Sequence, residues 1–364
     1  MASTAPQKGL LERRRRKLPA TQFKTWSPGG PELPETQCEE MKKYRIIERI
    51  GHGSSGQVYQ AKRLEDGQEV ALKVMNAVDQ DMIELRRAEF NVLRELDHPN
   101  IVKGLDFFRA ASTAVLVLSY HPGTTLHQAI RLSSERRLCE RVARPLFGML
   151  LSAVDYLHQR RIVHRDVKAD NVLVSPDLKD LVLADFNTAR SLVEGGSLTM
   201  TGTIEYSAPE VLQGDSPSEQ NDIWGAGLCL YFMLVGRLPR RPTHYPHLQA
   251  FAAAVATNPV DCQGDDWKDI SEDAKTTVKQ CLALSREARP AAMTILEMKW
   301  LAAQPDVSPR KGSFPATSAD YPDYPVREAG ISTLKRSKTE PANLAGFGPR
   351  SGKSSRVLKA LGAE

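Results

Sequence analysis

A lysine and a glutamate stand on faces of the chain that are otherwise apolar, and the need to bring them together constrains the fold more than any other feature. Lys73 closes the run Val-Ala-Leu-Lys on a strand built for burial, and Glu89 lies on the apolar stripe of a helix predicted over residues 81–96. The apolar members of that stripe are Leu85, Val92 and Leu96. A buried charge is costly unless an opposite charge meets it. We therefore predict an ion pair between Lys73 and Glu89, with Glu84, which lies off the stripe, as the less favoured partner.

The segments around this pair predict a small β-rich lobe that is followed by a larger helical lobe. The Asp66-Gly67 step between two apolar runs supplies the positive φ angles of a tight hairpin turn. The predicted elements, in chain order, are strands at 44–50, 57–64, 69–74 and 115–118 and helices at 81–96, 144–158 and 222–235. The predicted fold class is α+β.

Charge and cysteine usage narrow the class of protein. The 364 residues are 41% apolar and 26% charged, which is typical of a globular chain with a sizeable core. The net charge of +5 resides in the two ends, because residues 41–301 carry 32 basic against 33 acidic side chains, so no nucleic-acid partner is expected. Five scattered cysteines favour a reducing compartment. Without a secretory signal or a long apolar run, we predict no transmembrane segment and a cytoplasmic or nuclear location.

Both ends of the chain differ in composition from the middle. Residues 1–42 are rich in Pro, Gly and charge, and residues 302–364 are rich in Pro, Ser, Lys and Gly. Neither segment keeps an apolar period, so we predict a disordered basic N-terminal tail and a disordered C-terminal tail. The basic run at residues 13–17 is either a solvated stretch, which we favour, or a tag for nuclear import or for an acidic membrane.

Three glycines, Gly51, Gly53 and Gly56, form a G-x-G-x-x-G pattern that lets a backbone approach phosphate groups closely. In a dinucleotide-binding fold a helix would follow the third glycine, whereas here a strand and the Asp-Gly turn follow. The loop therefore joins two strands. Taken alone, the pattern is equally compatible with a plain glycine-rich turn.

The segment from His164 to Asn171 reads HRDVKADN and combines three kinds of chemistry. Asp166 is a carboxylate, Lys168 is a cation and Asn171 is an oxygen ligand for a metal, which are the groups that in-line phosphoryl transfer needs. Downstream, Asp185 ends an apolar strand predicted at residues 181–184.

These motifs together resemble the protein kinase family, with a glycine-rich loop, a V-A-x-K strand, a helix bearing a glutamate, HRDVKADN, and Asp-Phe-Asn where the family has Asp-Phe-Gly. The resemblance covers residues 44–301 and implies the two-lobed protein kinase fold, with a domain at 43–301, an N-lobe at about 43–118 and a C-lobe at about 124–301. Within this family, a lysine two positions after the catalytic aspartate, as Lys168 is after Asp166, is typical of serine/threonine kinases. The resemblance implies ATP and Mg²⁺ as cofactors and proteins as substrates.

The resemblance also implies which residues react and which bind metal. Asp166 would orient and deprotonate the substrate hydroxyl, and Lys168 would neutralise charge on the γ-phosphate. Asn171 and Asp185 would bind magnesium.

The nucleotide is implied to lie between the lobes. Lys73 would hold the α- and β-phosphates, and Glu89 would hold Lys73. The other implied nucleotide contacts are the glycines Gly51, Gly53 and Gly56, Val58 and Ala71 on the adenine ring, Leu118 as gatekeeper, and the backbone of His121.

One position departs from the family's pattern, since Asn187 replaces the glycine of Asp-Phe-Gly. A side chain restricts backbone rotations that glycine permits, although asparagine tolerates left-handed geometry well. We expect activity to survive, with a change in the population of the inactive, flipped state. The alternative is a pseudokinase scaffold that binds partners without efficient phosphoryl transfer, and Asn187 is its only support.

Regulation is expected at the segment that precedes Glu210. Arg165 comes directly before the catalytic aspartate, and kinases of that kind commonly need a phosphate on the activation segment to neutralise the arginine. Thr199 is the predicted site, ahead of Thr201 and Ser197, and it implies an upstream kinase. Exposed hydroxyls without a role are an equal alternative.

Three further contacts follow from the resemblance. Thr203 is expected to contact Asp166 and Lys168, which again favours serine/threonine substrates, and a segment of this kind argues against a small-molecule phosphotransferase. The other two are a pair between Glu210 and Arg289, and Asp222 bracing the catalytic loop.

In the C-terminal tail, Thr339 follows Leu334 and Arg336 by five and three positions and is itself followed by Glu-Pro. The string resembles a basophilic kinase site that, once phosphorylated, would suit a phosphopeptide-binding adaptor of the 14-3-3 type. Random basic tails often contain such strings, and that reading is favoured.

Overall fold

In the computed structural model the described residues are 38–53, 56–77, 79–110, 113–191 and 203–302. They form a small β-rich lobe and a larger helical lobe, so the predicted two-lobed α+β fold is confirmed. Among these residues, no helix combines the length and the apolar character that crossing a bilayer requires.

Five antiparallel strands make the small lobe. They are β1 (Tyr44–Gly53), β2 (Gly56–Arg63), β3 (Glu69–Asn76), β4 (Gly104–Ala110) and β5 (Thr113–Ser119), in the spatial order β1-β2-β3-β5-β4. The Asp-Gly step forms the β2–β3 turn as expected, with Gly67 at a φ of +75°. The sequence did not predict β4, because Asp106 and Arg109 interrupt its apolar run.

One helix, α1 (Gln80–Arg94), packs against this sheet and buries Ile83, Glu89 and Leu93. The predicted apolar stripe was wrong in one member, since Leu85 is 41% exposed. Leu85 lies about 200° around the helix from Ile83, so the two cannot share a buried face. Glu89 remains on the buried side, as the sequence predicted.

The large lobe is built around two long helices whose contacts position short strands and loops. In chain order its elements are β6 (Thr124–Thr125), α2 (Leu126–Leu132), α3 (Glu140–Gln159), β7 (Ile162–Val163), β8 (Val172–Val174), β9 (Leu181–Leu183), β10 (Arg190–Ser191), α4 (Pro209–Leu212), α5 (Glu219–Val235), α6 (Leu248–Thr257), α7 (Glu272–Cys281), α8 (Ala292–Leu296) and α9 (Lys299–Ala302). Helix α5 is buried from Asp222 to Leu234. A Cβ added at Gly225 would lie 2.4 Å from the carbonyl oxygen of Val167, so only glycine lets α5 approach the β7–β8 loop this closely.

Residues 38–42, which the sequence assigned to a disordered tail, pack against the outer face of the sheet. Cys38 and Met41 are buried there in a cluster with Leu72 and Val117. The strands bury apolar side chains on this outer face as well as on the inner one, and the outer face needs a cover. The short segment supplies part of that cover.

A second and larger apolar cluster joins the two lobes. It runs from Ala71 and Leu118 on the inner face of the sheet, through Leu93 of α1, to helices α3 and α5. Strand β3 is therefore buried on both faces, and Lys73 lies within it at 5% exposure.

A buried ion pair ties α4 to the end of the large lobe. Arg289 donates to both carboxylate oxygens of Glu210, at 2.7 and 2.5 Å, and its other hydrogen bonds go to backbone carbonyl oxygens, including that of Gln220 at 3.0 Å. Arg289 is 3% exposed and Glu210 is 7% exposed. A bidentate arrangement of this kind satisfies the planar guanidinium and compensates both buried charges.

We predict that Arg289→Met lowers the free energy of unfolding by about 3 to 5 kcal/mol, because the Glu210 carboxylate loses its partner while it stays buried. The matched control is Arg286→Met, which removes the same charge from a side chain that is 39% exposed and should cost less than about 1 kcal/mol. Urea denaturation of the three proteins measures both differences. Equal losses in the two variants would contradict a structural role for this pair.

Candidate active site

Lys73 is the point where both lobes meet in a single set of charges. Its ammonium nitrogen lies 2.8 Å from Oε1 of Glu89 on α1 and 2.8 Å from Oδ1 of Asp185, which follows β9. The expected pair with Glu89 is therefore present, and Asp185 adds a second carboxylate from the large lobe. Glu84 bonds instead with Gln80 at the surface.

Lys73 and Asp185 keep each other ionised, whereas at Glu89 burial outweighs the effect of Lys73 and raises the pKa of the carboxyl group. Burial by itself would lower the pKa of Lys73, but Glu89 and Asp185 outweigh it and hold that pKa above its ordinary value. Burial would raise the pKa of Asp185, but Lys73 reverses the effect and holds it below its ordinary value. A cation and an anion thus face the cleft at neutral pH.

Three residues converge on Asp166: Lys168 and Asn171 from the same β7–β8 loop, and Thr203 from the activation segment. Lys168 Nζ lies 2.6 Å from Oδ2 of Asp166 and donates to the Thr203 hydroxyl at 2.6 Å. The backbone N–H of Thr203 donates to Oδ1 of Asp166 at 3.2 Å, and Asn171 Nδ2 donates to Oδ2 at 2.9 Å. The structure therefore brings together the carboxylate, the cation and the amide that the motif grouped in sequence.

Asp222 of α5 holds the start of this loop from beneath. Its carboxylate accepts hydrogen bonds from the backbone N–H groups of His164 and Arg165, each at 2.8 Å, and lies 3.0 Å from Nε2 of His158. Asp222 is fully buried. Arg165 takes a positive φ of 68°, so a carboxylate on its amide helps to fix a conformation that non-glycine residues seldom adopt.

His164 connects the loop to the segment after β9. Its Nε2 lies 3.2 Å from the Ala184 carbonyl oxygen, and its ring meets Phe186 edge-on with centroids 4.7 Å apart. Complete burial lowers the pKa of His164. The neutral ring with its proton on Nε2 satisfies both this contact and the Asp166 N–H, which lies 3.3 Å from Nδ1.

The apolar residues expected around adenine lie together. Ala71 pairs with Leu118 across β3 and β5, and Val58 packs against the same cluster. Gly56 has a φ of +130°, and a Cβ there would lie 2.2 Å from the Val74 carbonyl oxygen, so this position requires glycine. Gly51 stands opposite Val58 in the β1–β2 ladder.

Strands β1 and β2 lead toward the tip of the glycine-rich loop. Gly53 pairs with Gly56 at the end of the ladder, and residues 54 and 55 lie outside the described part of the chain. The connection is a strand-to-strand loop, which agrees with the sequence and differs from the strand-to-helix turn of a dinucleotide-binding fold.

His121 lies in the connection between the lobes. Its carbonyl oxygen accepts from the Gly123 N–H at 2.9 Å, and its imidazole Nε2 lies 3.4 Å from Oδ2 of Asp180 in the large lobe. Burial lowers the pKa of His121, and Asp180 opposes that shift. The ring lies beside Asp180 without a hydrogen bond to it.

The residues present fit a magnesium ion that is shared with phosphate oxygens. The described residues contain no group of three His, Cys, Asp or Glu side chains that could cage a metal. Magnesium in phosphoryl-transfer sites is usually held by one or two protein oxygens together with the phosphates. Asn171 and Asp185 would supply such oxygens, and the backbone N–H of Ala184 donates to the backbone carbonyl of Asn171 at 2.8 Å, which joins their two segments.

Several expected regulatory positions lie beyond what the structure describes. Thr199, Thr201 and Thr339 fall outside the described residues. Arg165 and Thr203 are described, and Thr203 makes the contacts with Asp166 and Lys168 given above.

Sequence reasoning missed two bridges of this site. His158 contacts Asp222 from the end of α3, and Arg86 of α1 donates to the side-chain oxygen of Asn187 at 3.4 Å. The one signal for the second bridge was a basic residue three positions before Glu89, which places both on neighbouring parts of the helix surface.

We predict that Asp222→Ala lowers the free energy of unfolding by about 2 to 5 kcal/mol, because two buried backbone donors at His164 and Arg165 lose their acceptor. Asp215→Ala, at an exposed position just before α5, is the control and should change it by less than about 0.5 kcal/mol. Denaturant unfolding gives both values. A loss in Asp222→Ala no larger than in the control would contradict the bracing role.

Comparison with known proteins agrees with this geometry. Residues 44–301 match the protein kinase domain family. Serine/threonine-protein kinase DCLK2 of Mus musculus is 33% identical over 293 residues, which cover 75% of this chain and 38% of that protein. The carbon catabolite-derepressing protein kinase of Candida tropicalis is 31% identical over 304 residues, which cover 82% of this chain and 44% of that protein.

A third relative, the protein kinase domain-containing protein ppk9 of Schizosaccharomyces pombe, is 30% identical over 303 residues, covering 81% of this chain and 52% of its own length. The chain thus spans between about a third and a half of the length of the curated relatives it matches. The match extends through both lobes and through every motif that meets at Lys73 and Asp166. This chain belongs to the protein kinase family.

Proposed function

We propose that this protein is a serine/threonine protein kinase that transfers the γ-phosphoryl group of ATP to hydroxyl groups of protein substrates. The observation that carries the proposal is the assembled charge set, in which Lys73 contacts Glu89 and Asp185 while Lys168 and Thr203 contact Asp166. The first group of contacts joins the two lobes and the second lies in the large lobe, and within each group the side chains are already within hydrogen-bond distance of a partner.

The charged residues of this site have separate tasks in the reaction. Lys73, which Glu89 holds in place, binds the α- and β-phosphates of the nucleotide. Asp166 accepts the hydrogen bond of the substrate hydroxyl, orients its oxygen toward the γ-phosphorus and takes its proton. Lys168 compensates the negative charge that the transferring group carries.

Asn171 and Asp185 would hold magnesium, which when bound neutralises charge on the phosphate oxygens. Val58, Ala71 and Leu118 would enclose the adenine ring, and the His121 backbone would meet its polar edge. Gly51 and Gly53 at the end of β1 and Gly56 at the start of β2 would cover the phosphates, since a backbone without side chains can come close to them.

The preference for serine and threonine is supported by Thr203. Its hydroxyl lies between Lys168 Nζ and Oδ1 of Asp166, at 2.6 and 3.4 Å, and so narrows the space beside the reacting carboxylate. The relative from Mus musculus is named a serine/threonine-protein kinase, which agrees with this preference.

The competing proposal is a pseudokinase scaffold that binds partners without efficient phosphoryl transfer. A scaffold of that kind is free to lose catalytic groups, whereas Lys73, Asp166, Asn171 and Asp185 are all present and in contact with partners. Asn187, its only support from sequence, donates to Asp185 rather than displacing it.

Regulation and location remain proposals from the sequence. Phosphorylation of Thr199 or Thr201 by an upstream kinase would neutralise Arg165, and an adaptor would bind phosphorylated Thr339. All five cysteines are free thiols, which supports a reducing compartment, cytoplasmic or nuclear.

We predict that Asp166→Ala lowers radiolabel transfer from ATP to a library of serine- and threonine-containing peptides by about 100-fold or more, because the proton acceptor is lost. Binding of ATP, measured by calorimetry, should persist, since Asp166 contacts the hydroxyl and not the adenine. Asp269→Ala, at an exposed position, is the control and should retain full transfer. If folded wild-type protein transfers no more label than Asp166→Ala, the scaffold proposal replaces this one.

A further inference from the structure

Asn187, the residue that departs from the family's pattern, is placed so that its amide joins two elements. Its Nδ2 donates to Oδ1 of Asp185 at 2.5 Å, and its Oδ1 accepts from Nη1 of Arg86 on α1 at 3.4 Å. Chemistry fixes the orientation of this amide, because a carboxylate accepts hydrogen bonds and a guanidinium only donates them.

This bridge closes a ring with the Lys73 ion pairs. One route leads from α1 through Glu89 and Lys73 to Oδ1 of Asp185. The other leads from Arg86 of the same helix through Asn187 to the same oxygen. Helix α1 is therefore fastened to the Asp185 carboxylate at two points that are three residues apart along the helix.

The two routes together fix the orientation of the Asp185 carboxylate. Asp185 takes a positive φ of 62°, which non-glycine residues seldom adopt without support from their surroundings. Lys73 and Asn187 both donate to its Oδ1, so the two contacts together restrict rotation of the carboxylate.

The backbone tolerates the side chain at position 187. Asn187 does not have a positive φ, so its Cβ causes no left-handed strain in this conformation. A glycine here would have more conformations to lose when the segment takes this one. The substitution therefore favours the observed conformation through the backbone as well as through the bridge.

We propose that Asn187 is a positioning residue, which fastens the Asp185 carboxylate to helix α1 through Arg86, so that the metal- and nucleotide-binding arrangement is assembled before any ligand arrives. Its catalytic consequence rests on the proposed kinase function, whereas its effect on the nucleotide-free protein does not. Asn187 thus stabilises the site, whereas the scaffold proposal interprets the same substitution as a loss of catalytic function.

The nucleotide-free test measures hydrogen exchange of the backbone amides of α1 in the full-length chain. Asn187→Ala removes the bridge and keeps a Cβ. Arg86→Gln removes the guanidinium through which the bridge reaches α1. The control is Arg94→Gln, which makes the same change on the same helix at a side chain that is 56% exposed. We expect exchange in α1 to accelerate about threefold to tenfold in the first two variants and to be unchanged in the control.

The second readout is the free magnesium concentration at half-maximal peptide phosphorylation. We expect it to rise about threefold or more in Asn187→Ala, with kcat at saturating magnesium and ATP nearly retained. Lower stability alone would reduce the rate equally at every magnesium concentration and leave this midpoint in place. The Arg86→Gln/Asn187→Ala double variant should lose no more than the worse single variant, because both act through one bridge.

The outcomes separate this proposal from the proposed function. Unchanged α1 exchange and an unchanged magnesium midpoint in Asn187→Ala would overturn it. A further variant, Asn187→Gly, removes the bridge and the Cβ together. If α1 exchange and the magnesium midpoint changed in Asn187→Gly but not in Asn187→Ala, the proposal would also be overturned, because backbone restriction would then explain the effect without the bridge. If the wild type transfers no phosphate, the kinase proposal fails, and accelerated α1 exchange would still support the bridge.

Discussion

The buried ammonium of Lys73 is the interaction on which the rest of the structure depends. Strand β3 is covered on both faces, so Lys73 needs anionic partners. These are Glu89 on helix α1 and Asp185, which follows strand β9 along the chain. If either carboxylate moved away, the desolvated cation would lose much of its compensation. The position of α1 and the conformation after β9 are therefore coupled through one nitrogen atom, and this is how a small β lobe and a helical lobe come to share a site.

The large lobe fixes the reacting groups by a different means. Asp222, in the fully buried part of α5, accepts from consecutive backbone amides of the loop that carries Asp166, and Gly225 allows the helix to lie directly against that loop. The reactive carboxylate is thus held by the backbone around it, and its own oxygens remain for Lys168, Asn171 and Thr203. Precision at a reaction centre depends on support of this kind, because the groups need no rearrangement when the substrate binds.

Much of this could be predicted from the sequence, for identifiable reasons. The partner of Lys73 followed from the cost of buried charge, and the β2–β3 turn followed from Asp66-Gly67. The assignment of Leu85 to the buried face of α1 was wrong, because the apolar positions of this helix fit more than one helical face. Only the packing of Ile83 and Leu93 decides which face is buried. Strand β4 was missed because its polar residues hide the apolar pattern. The Arg86–Asn187 bridge joins residues 101 positions apart, and no local pattern reports which side chains come that close.

The most direct test of the account is calorimetric titration of the purified chain with ATP, in saturating magnesium and in chelator, for the wild type and Asp185→Asn. The substitution keeps the size of the side chain and removes the negative charge that would face the cation. The account predicts that magnesium tightens ATP binding to the wild type by about tenfold or more and has little effect on the variant. Equal magnesium dependence in both folded proteins, or no ATP binding by the wild type, would contradict the claim that these groups close around one metal-bound triphosphate.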